Sequence, residues 1–184
     1  MRFVLCWALV WMLVMGGIFL PGNGWAQFFF LENPLVGEAA ADFTLKTLDG
    51  KTVNMTQFRD DKSAIIFFWA TWCPYCRAAL KELNNEKDQI EEKGIKIILV
   101  DLGETESEVG RYIKANKIDL TVFLDEESFL NDPYAIIGVP TFVLVNSQGI
   151  VKAVEHALPP NYEEILVAKK DPVAMDDFPF QNKN

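Results

Sequence analysis

Histidine is nearly missing: His156 stands alone in 184 residues. A histidine-rich metal centre is therefore not expected, and neither is a Ser/His/Asp hydrolase triad. Cysteine is scarce too, with three in the chain, too few to staple a small scaffold together. Basic residues are outnumbered, 17 Lys+Arg against 26 Asp+Glu, for a net charge of -9. That balance argues against nucleic acid as a partner and against a polybasic membrane surface. No internal repeat is visible. What remains is 50% hydrophobic and 23% charged, the composition of one ordinary globular domain.

The hydrophobic residues are not evenly spread. Phe3 to Leu20 is an uncharged run of 18 residues behind a single basic residue, Arg2. Pro21, Gly22, Asn23 and Gly24 break any helix after it. Gly24-Trp25-Ala26 places small residues at the -3 and -1 positions of a cleavage site before Gln27. Residues 1–26 therefore read as an export signal. The rival is an uncleaved membrane anchor through residues 3–20, since the run just crosses a hydrocarbon core of about 30 Å. Both readings put the rest of the chain in the periplasm or otherwise outside the cytoplasm. Removing the segment takes Arg2 and Cys6, which leaves a net charge of -10 and two cysteines, Cys73 and Cys76.

Residues 27–40 read as an N-terminal extension, 41–170 as the folded domain and 171–184 as a disordered tail. Ala41 to Val53 has hairpin character, with Asp49-Gly50 at the turn. Ala64–Trp69, Ile95–Val100, Thr121–Leu124 and Thr141–Val145 are apolar runs of strand length. Pro74–Lys93 is a helix with Leu80, Leu83 and Ile90 inward, and Gly94 ends it. Thr105-x-x-Glu108 is a capping box that opens a second helix. Ser128–Ile137 is a short helical or irregular link, Ile150–Val154 closes a hairpin, and Asn161–Lys170 is a last helix. Strands alternating with helices predict an α/β fold with a parallel core, made mixed by the closing hairpin. Asp125-Glu126-Glu127 and Glu104 to Glu108 read as solvated acidic faces, His156 as a surface residue, and Phe28–Phe30 as packed.

The chemistry concentrates in Phe68-Trp69-Ala70-Thr71-Trp72-Cys73-Pro74-Tyr75-Cys76-Arg77, where a buried strand hands over to a helix. Cys73 falls at the helix N-terminus and Pro74 in its first turn, where proline fits. Unpaired N–H groups and the positive end of the helix dipole favour a thiolate there. The thiolate is the attacking species in thiol–disulfide exchange. Cys76 lies one turn further in, placed to resolve a mixed disulfide. A structural disulfide and a peroxidatic cysteine stay open on the pattern alone. Zinc needs about four ligands, and Arg77 stands where haem attachment needs histidine. A second motif, Gly138-Val139-Pro140-Thr141, precedes a buried strand.

Together, FWATWCPYC and GVPTFVLVNSQGIV resemble the thioredoxin superfamily. Ala41-Asp42-Phe43-Thr44-Leu45 and Leu48-Asp49-Gly50-Lys51 resemble the opening hairpin of its exported TlpA/ResA/CcmG-like branch. The resemblance spans about residues 36–170. It implies a thioredoxin-like fold: a mixed central sheet flanked by helices, with an N-terminal β-hairpin. It implies a redox-active Cys73–Cys76 pair. No cofactor is expected, and with no second cysteine pair and one distant histidine no metal is expected either. The resemblance also implies a cis bond before Pro140, Val139 offering backbone groups to a substrate strand, and Trp69, Trp72, Pro74 and Tyr75 supporting the site. Three positions depart from the branch. Phe67 stands where the superfamily often has Asp or Asn, and Ala79 and Lys81 where the branch commonly has Glu and Pro. The motif itself thus offers no acid to take the proton of Cys76.

The expectation is an extracytoplasmic thiol–disulfide oxidoreductase that reduces disulfides of exported proteins. Cys73 attacks and Cys76 resolves. Its partners would be disulfide-containing or dithiol proteins and a membrane-bound electron donor. The alternatives are a disulfide-forming oxidant or isomerase, and a non-catalytic thioredoxin-like binding module.

Overall fold

The computed structural model describes residues 33–167. The export segment, Phe28–Phe30 and the C-terminal tail lie outside the described residues. The elements run β1 (Thr44–Thr47), β2 (Thr52–Asn54), α1 (Met55–Arg59), β3 (Ser63–Trp69), α2 (Pro74–Glu92), β4 (Ile95–Leu102), α3 (Glu106–Asn116), β5 (Val122–Asp125), β6 (Thr141–Val145), β7 (Val151–Glu155) and α4 (Tyr162–Val167). The strands form one sheet in the order β2-β1-β5-β4-β3-β6-β7. β3 and β5 run parallel to β4, whereas β6 is antiparallel to β3 and to β7. The N-terminal hairpin joins the same sheet through β1 against β5.

The central strands are apolar throughout because both faces of the sheet are covered. Side chains alternate along a strand, and the two faces have separate cores. Ile65, Phe67 and Trp69 of β3 and Ile97 and Leu99 of β4 face Leu80, Leu83 and Ile90 of α2, together with Val109, Tyr162 and Leu166. Ala64, Ile66 and Phe68 face the other way, toward Phe43, Met55, Leu130 and Tyr134. Full burial of each large apolar side chain contributes roughly 1.5–3 kcal/mol before entropy is counted. The stripe expected on α2 is the one observed. Its last turn closes at Lys93, and Gly94 takes φ 75°, a conformation glycine adopts without strain.

Three local readings change. The return strand of the hairpin runs directly into α1, because the Asn54 side chain accepts the Gln57 N–H and caps a helix. A five-residue helix has too little period to show in sequence. β4 continues two residues past Val100, through Asp101 and Leu102. Asp125 is not on a solvated face: it is 1% exposed and accepts N–H groups from Phe129 and Leu130, each at 2.9 Å. Those bonds replace the water a buried carboxylate loses. The capping box of α3 forms as expected, with Thr105 and Glu108 exchanging hydrogen bonds.

Candidate active site

The C-terminal ends of β3 and β4, the start of α2 and the loop before β6 converge at one end of the sheet. β3 delivers Trp69, and Ala70, Thr71 and Trp72 turn the chain. Cys73 then becomes the N-cap of α2, with Pro74 in its first turn. Cys73 and Cys76 are disulfide-bonded, with a Cα–Cα distance of 5.2 Å. The Cys76 N–H donates to Cys73 Sγ at 3.1 Å. This is one of the N–H groups that a helix start leaves without an internal partner, so the helix itself is aimed at the Cys73 sulfur. The two cysteines are not equivalent: as residues, Cys73 retains 3% exposure and Cys76 none.

The second motif reaches the first. The Val139–Pro140 peptide is cis, and the Val139 carbonyl lies 3.7 Å from Cys73 Sγ. The Pro140 carbonyl pairs with His156 Nδ1 at 2.9 Å, so the lone histidine is an exposed residue with a backbone partner. A groove of about 500 Å³ lies beside Tyr75, Ala79, Pro140, His156 and Leu158. A smaller one of about 220 Å³ lies beside Trp72, Ile137, Gly138 and Val139. Trp72 is 67% exposed, Tyr75 79% and Ile137 92%. Large apolar side chains this exposed around a single sulfur form a surface suited to a protein partner. Trp69, by contrast, is wholly buried and packs on Tyr112. Arg77 is exposed on α2.

Phe67 stacks on Phe142 with ring centroids 4.3 Å apart and supplies no acid. A different acid is present. Asp101 pairs in register with Trp69 and is 0% exposed. Its carboxyl is pushed up to about 8, first by burial and then by the charge and side chain of Glu104. Glu104 in turn accepts the Thr71 N–H and the Thr71 hydroxyl, on the loop that leads into Cys73. Gly103 makes the bend that turns the chain back toward that loop. It has φ 76°, and a Cβ there would meet Ser128 Oγ at 3.1 Å. The sequence offered one signal, an aspartate directly after the apolar run Ile95–Val100. Among the described residues no cluster of three or more His, Cys, Asp or Glu could hold a metal. Also among them, no helix is long and apolar enough to cross a membrane.

Known proteins resemble this chain along the same stretch. The profile of the AhpC/TSA family matches residues 36–154. The thiol-disulfide oxidoreductase ResA of Halalkalibacterium halodurans is 30% identical over 127 residues, covering 67% of this chain and 72% of that protein. ResA of Bacillus subtilis is 29% identical over 130 residues, covering 70% and 72%. The crystal structure of StoA from Bacillus subtilis superposes with a TM-score of 0.58 at 28% identity, over 72% of this chain and 96% of StoA.

Proposed function

The chain belongs to the AhpC/TSA family and is a thiol–disulfide oxidoreductase; on that premise we propose that it works outside the cytoplasm, reducing disulfides of exported proteins through Cys73 and Cys76. One observation carries the assignment of roles. Cys73 Sγ sits on the N-terminus of α2 and accepts the Cys76 N–H, while Cys76 has no exposed surface. The less buried cysteine is the one whose negative charge the helix stabilises.

In the reducing direction the Cys73 thiolate attacks a substrate disulfide. One substrate sulfur leaves as a thiolate and takes a proton. Cys76 then loses its proton and attacks Cys73 Sγ. The second substrate sulfur leaves, and the Cys73–Cys76 disulfide forms. Two electrons have moved to the substrate, and its two departing thiolates take their protons from solvent. The Val139 backbone, 3.7 Å from Cys73 Sγ, is placed to align an extended substrate segment beside that sulfur. Trp72 and Tyr75 supply apolar contact area on either side, with Pro74 holding the first turn of the helix. Trp69 anchors the end of β3 beneath the pair. Each turnover leaves the protein oxidised, so a reductase needs a donor. The export reading of residues 1–26 makes that donor a membrane protein that carries electrons outward.

The test is the reduction potential of the pair, set against glutathione and dithiothreitol buffers, with tryptophan fluorescence reporting redox state. A value near about -270 mV supports a reductase. A value near about -120 mV reverses the direction and makes the protein an oxidant. A pair that does not cycle leaves a binding module. Cys76→Ser should trap mixed disulfides through Cys73, and recovery of no trapped protein from exporting cells would count against protein substrates.

A further inference from the structure

Resolution by Cys76 requires a group to take its proton, and Phe67 and Ala79 cannot. A buried acid, Asp101, stands near the end of β4. Side chains paired in register on adjacent parallel strands point to the same face. Trp69 pairs with Asp101, and Trp69 lies in the core cluster that contains Cys73, Cys76 and the inner face of α2. Asp101 therefore enters the sheet on the cysteine side, at the cysteine end. It has no solvent exposure, and neither carboxyl oxygen has a partner of good geometry. The indole Nε1 of Trp69 is also buried without one. An acid and a donor left unpaired side by side are costly to bury, and an apolar residue at position 101 would avoid that cost. The neighbouring carboxyl is tied to the site directly: Glu104 holds Thr71 by its N–H and hydroxyl, two residues before Cys73.

We propose that Asp101 and Glu104 form a proton-holding pair that accepts the thiol proton of Cys76 during resolution and returns it when the disulfide is opened again. The inference rests on the oxidoreductase reading above. In the step, the Cys76 S–H bond breaks and its proton passes to the Asp101 carboxylate. The sulfur electron pair forms the bond to Cys73 Sγ, and the bond from Cys73 to the departing sulfur breaks. No other oxidant or reductant takes part.

The electrostatics suit the task. Burial and the facing Glu104 hold Asp101 near 8, close to a free thiol at about 8.5. An acid and a base matched in this way exchange a proton without a large penalty in either direction. The other charged or titratable groups around it are few. Glu108 of α3 adds to the upward push on Asp101. Tyr112 of α3, packed on Trp69, is itself raised by burial and opposed by the charge of Arg77 on α2. Leu124, the register neighbour on β5, carries no charge.

The experiment uses the full chain carrying Cys6→Ser, reduced, so that Cys73 and Cys76 are its two thiols, and the chromogenic disulfide dithiobis(nitrobenzoate). Attack by Cys73 releases one thionitrobenzoate, and resolution by Cys76 releases the second. Both releases are followed from pH 6 to pH 9.5 for this chain, here the wild type, and for its Asp101→Asn and Glu104→Gln variants. We expect the second release of wild type to rise through an inflection near pH 8. Asp101→Asn should slow the second release about tenfold and remove that inflection, with the first release changed less than twofold. Glu104→Gln, which removes a neighbouring negative charge, should move the inflection to lower pH. A merely structural role would slow both releases and leave the inflection in place. An Asp101→Asn profile that superposes on wild type overturns the inference. If that variant fails to fold, an unmoved inflection in Glu104→Gln overturns it instead. Failure of wild type to give any second release defeats the oxidoreductase reading itself.

Discussion

β4 and β5 are adjacent parallel strands, and each ends near a buried aspartate, yet the two ends are built differently. Asp125, at the end of β5, accepts two backbone N–H groups from the turn that follows. Asp101, near the end of β4, is equally buried but has no well-formed partner for either oxygen. The carboxyl of Asp125 organises a loop by accepting those two N–H groups. The carboxyl of Asp101, on the cysteine face of the sheet, is displaced toward its neutral form. Burial alone therefore does not decide what a carboxylate does. The N–H groups aimed at it, or their absence, decide.

The largest expected effect separates chemistry from architecture. Cys73→Ala should reduce disulfide exchange to the rate seen without protein, while urea unfolding stays cooperative. Residual turnover would mean that the reactive sulfur lies elsewhere. Next comes Asp125→Ala. It strands two N–H groups and should cost about 2–4 kcal/mol in urea unfolding, with exchange per folded molecule unchanged. A loss below about 1 kcal/mol would show that water replaces the carboxylate, and the comparison would lose one side.

The third prediction concerns pH. The Asp101 carboxyl rises from 3.8 to about 8 on folding. Between those values the folded chain keeps a proton that the unfolded chain has lost, so raising the pH favours unfolding. The contribution approaches about 1.4 kcal/mol per pH unit in that window and is flat below and above it. Wild type minus Asp101→Asn, measured by urea unfolding at pH 5, 6 and 7, should show this slope. Two parallel curves would mean that Asp101 is ionised in the folded state. The smallest effect is at the capping box, where Thr105→Ala should cost about 1 kcal/mol and leave the pH profile of exchange unmoved. That variant controls for general loosening of the segment that carries Glu104.

Much of this molecule is legible in sequence. The period of α2, the capping box of α3 and the apolar runs of β3, β4 and β6 depend on residues close in the chain. α1 escaped because five residues carry no period, and its cap, Asn54, reads equally well as the end of a strand. Asp125 escaped because three consecutive acids look like a solvated face. Only the following turn, bringing the N–H groups of Phe129 and Leu130 back toward it, makes burial affordable. Asp101 escaped for a related reason. Its place beside Trp69 comes from the register of β3 against β4, which no local pattern encodes.

The sequence by itself determined where the two thiols stand, one at a helix start and the other one turn later, because that follows from spacing along one helix. It also determined the fold class, since the hydrophobic periods are local. The tertiary structure alone decided which acids are buried, which have N–H partners, and which sits on the cysteine face of the sheet. Those outcomes depend on how distant strands register and how loops fold back, and the fate of a buried charge is set by its neighbours in space.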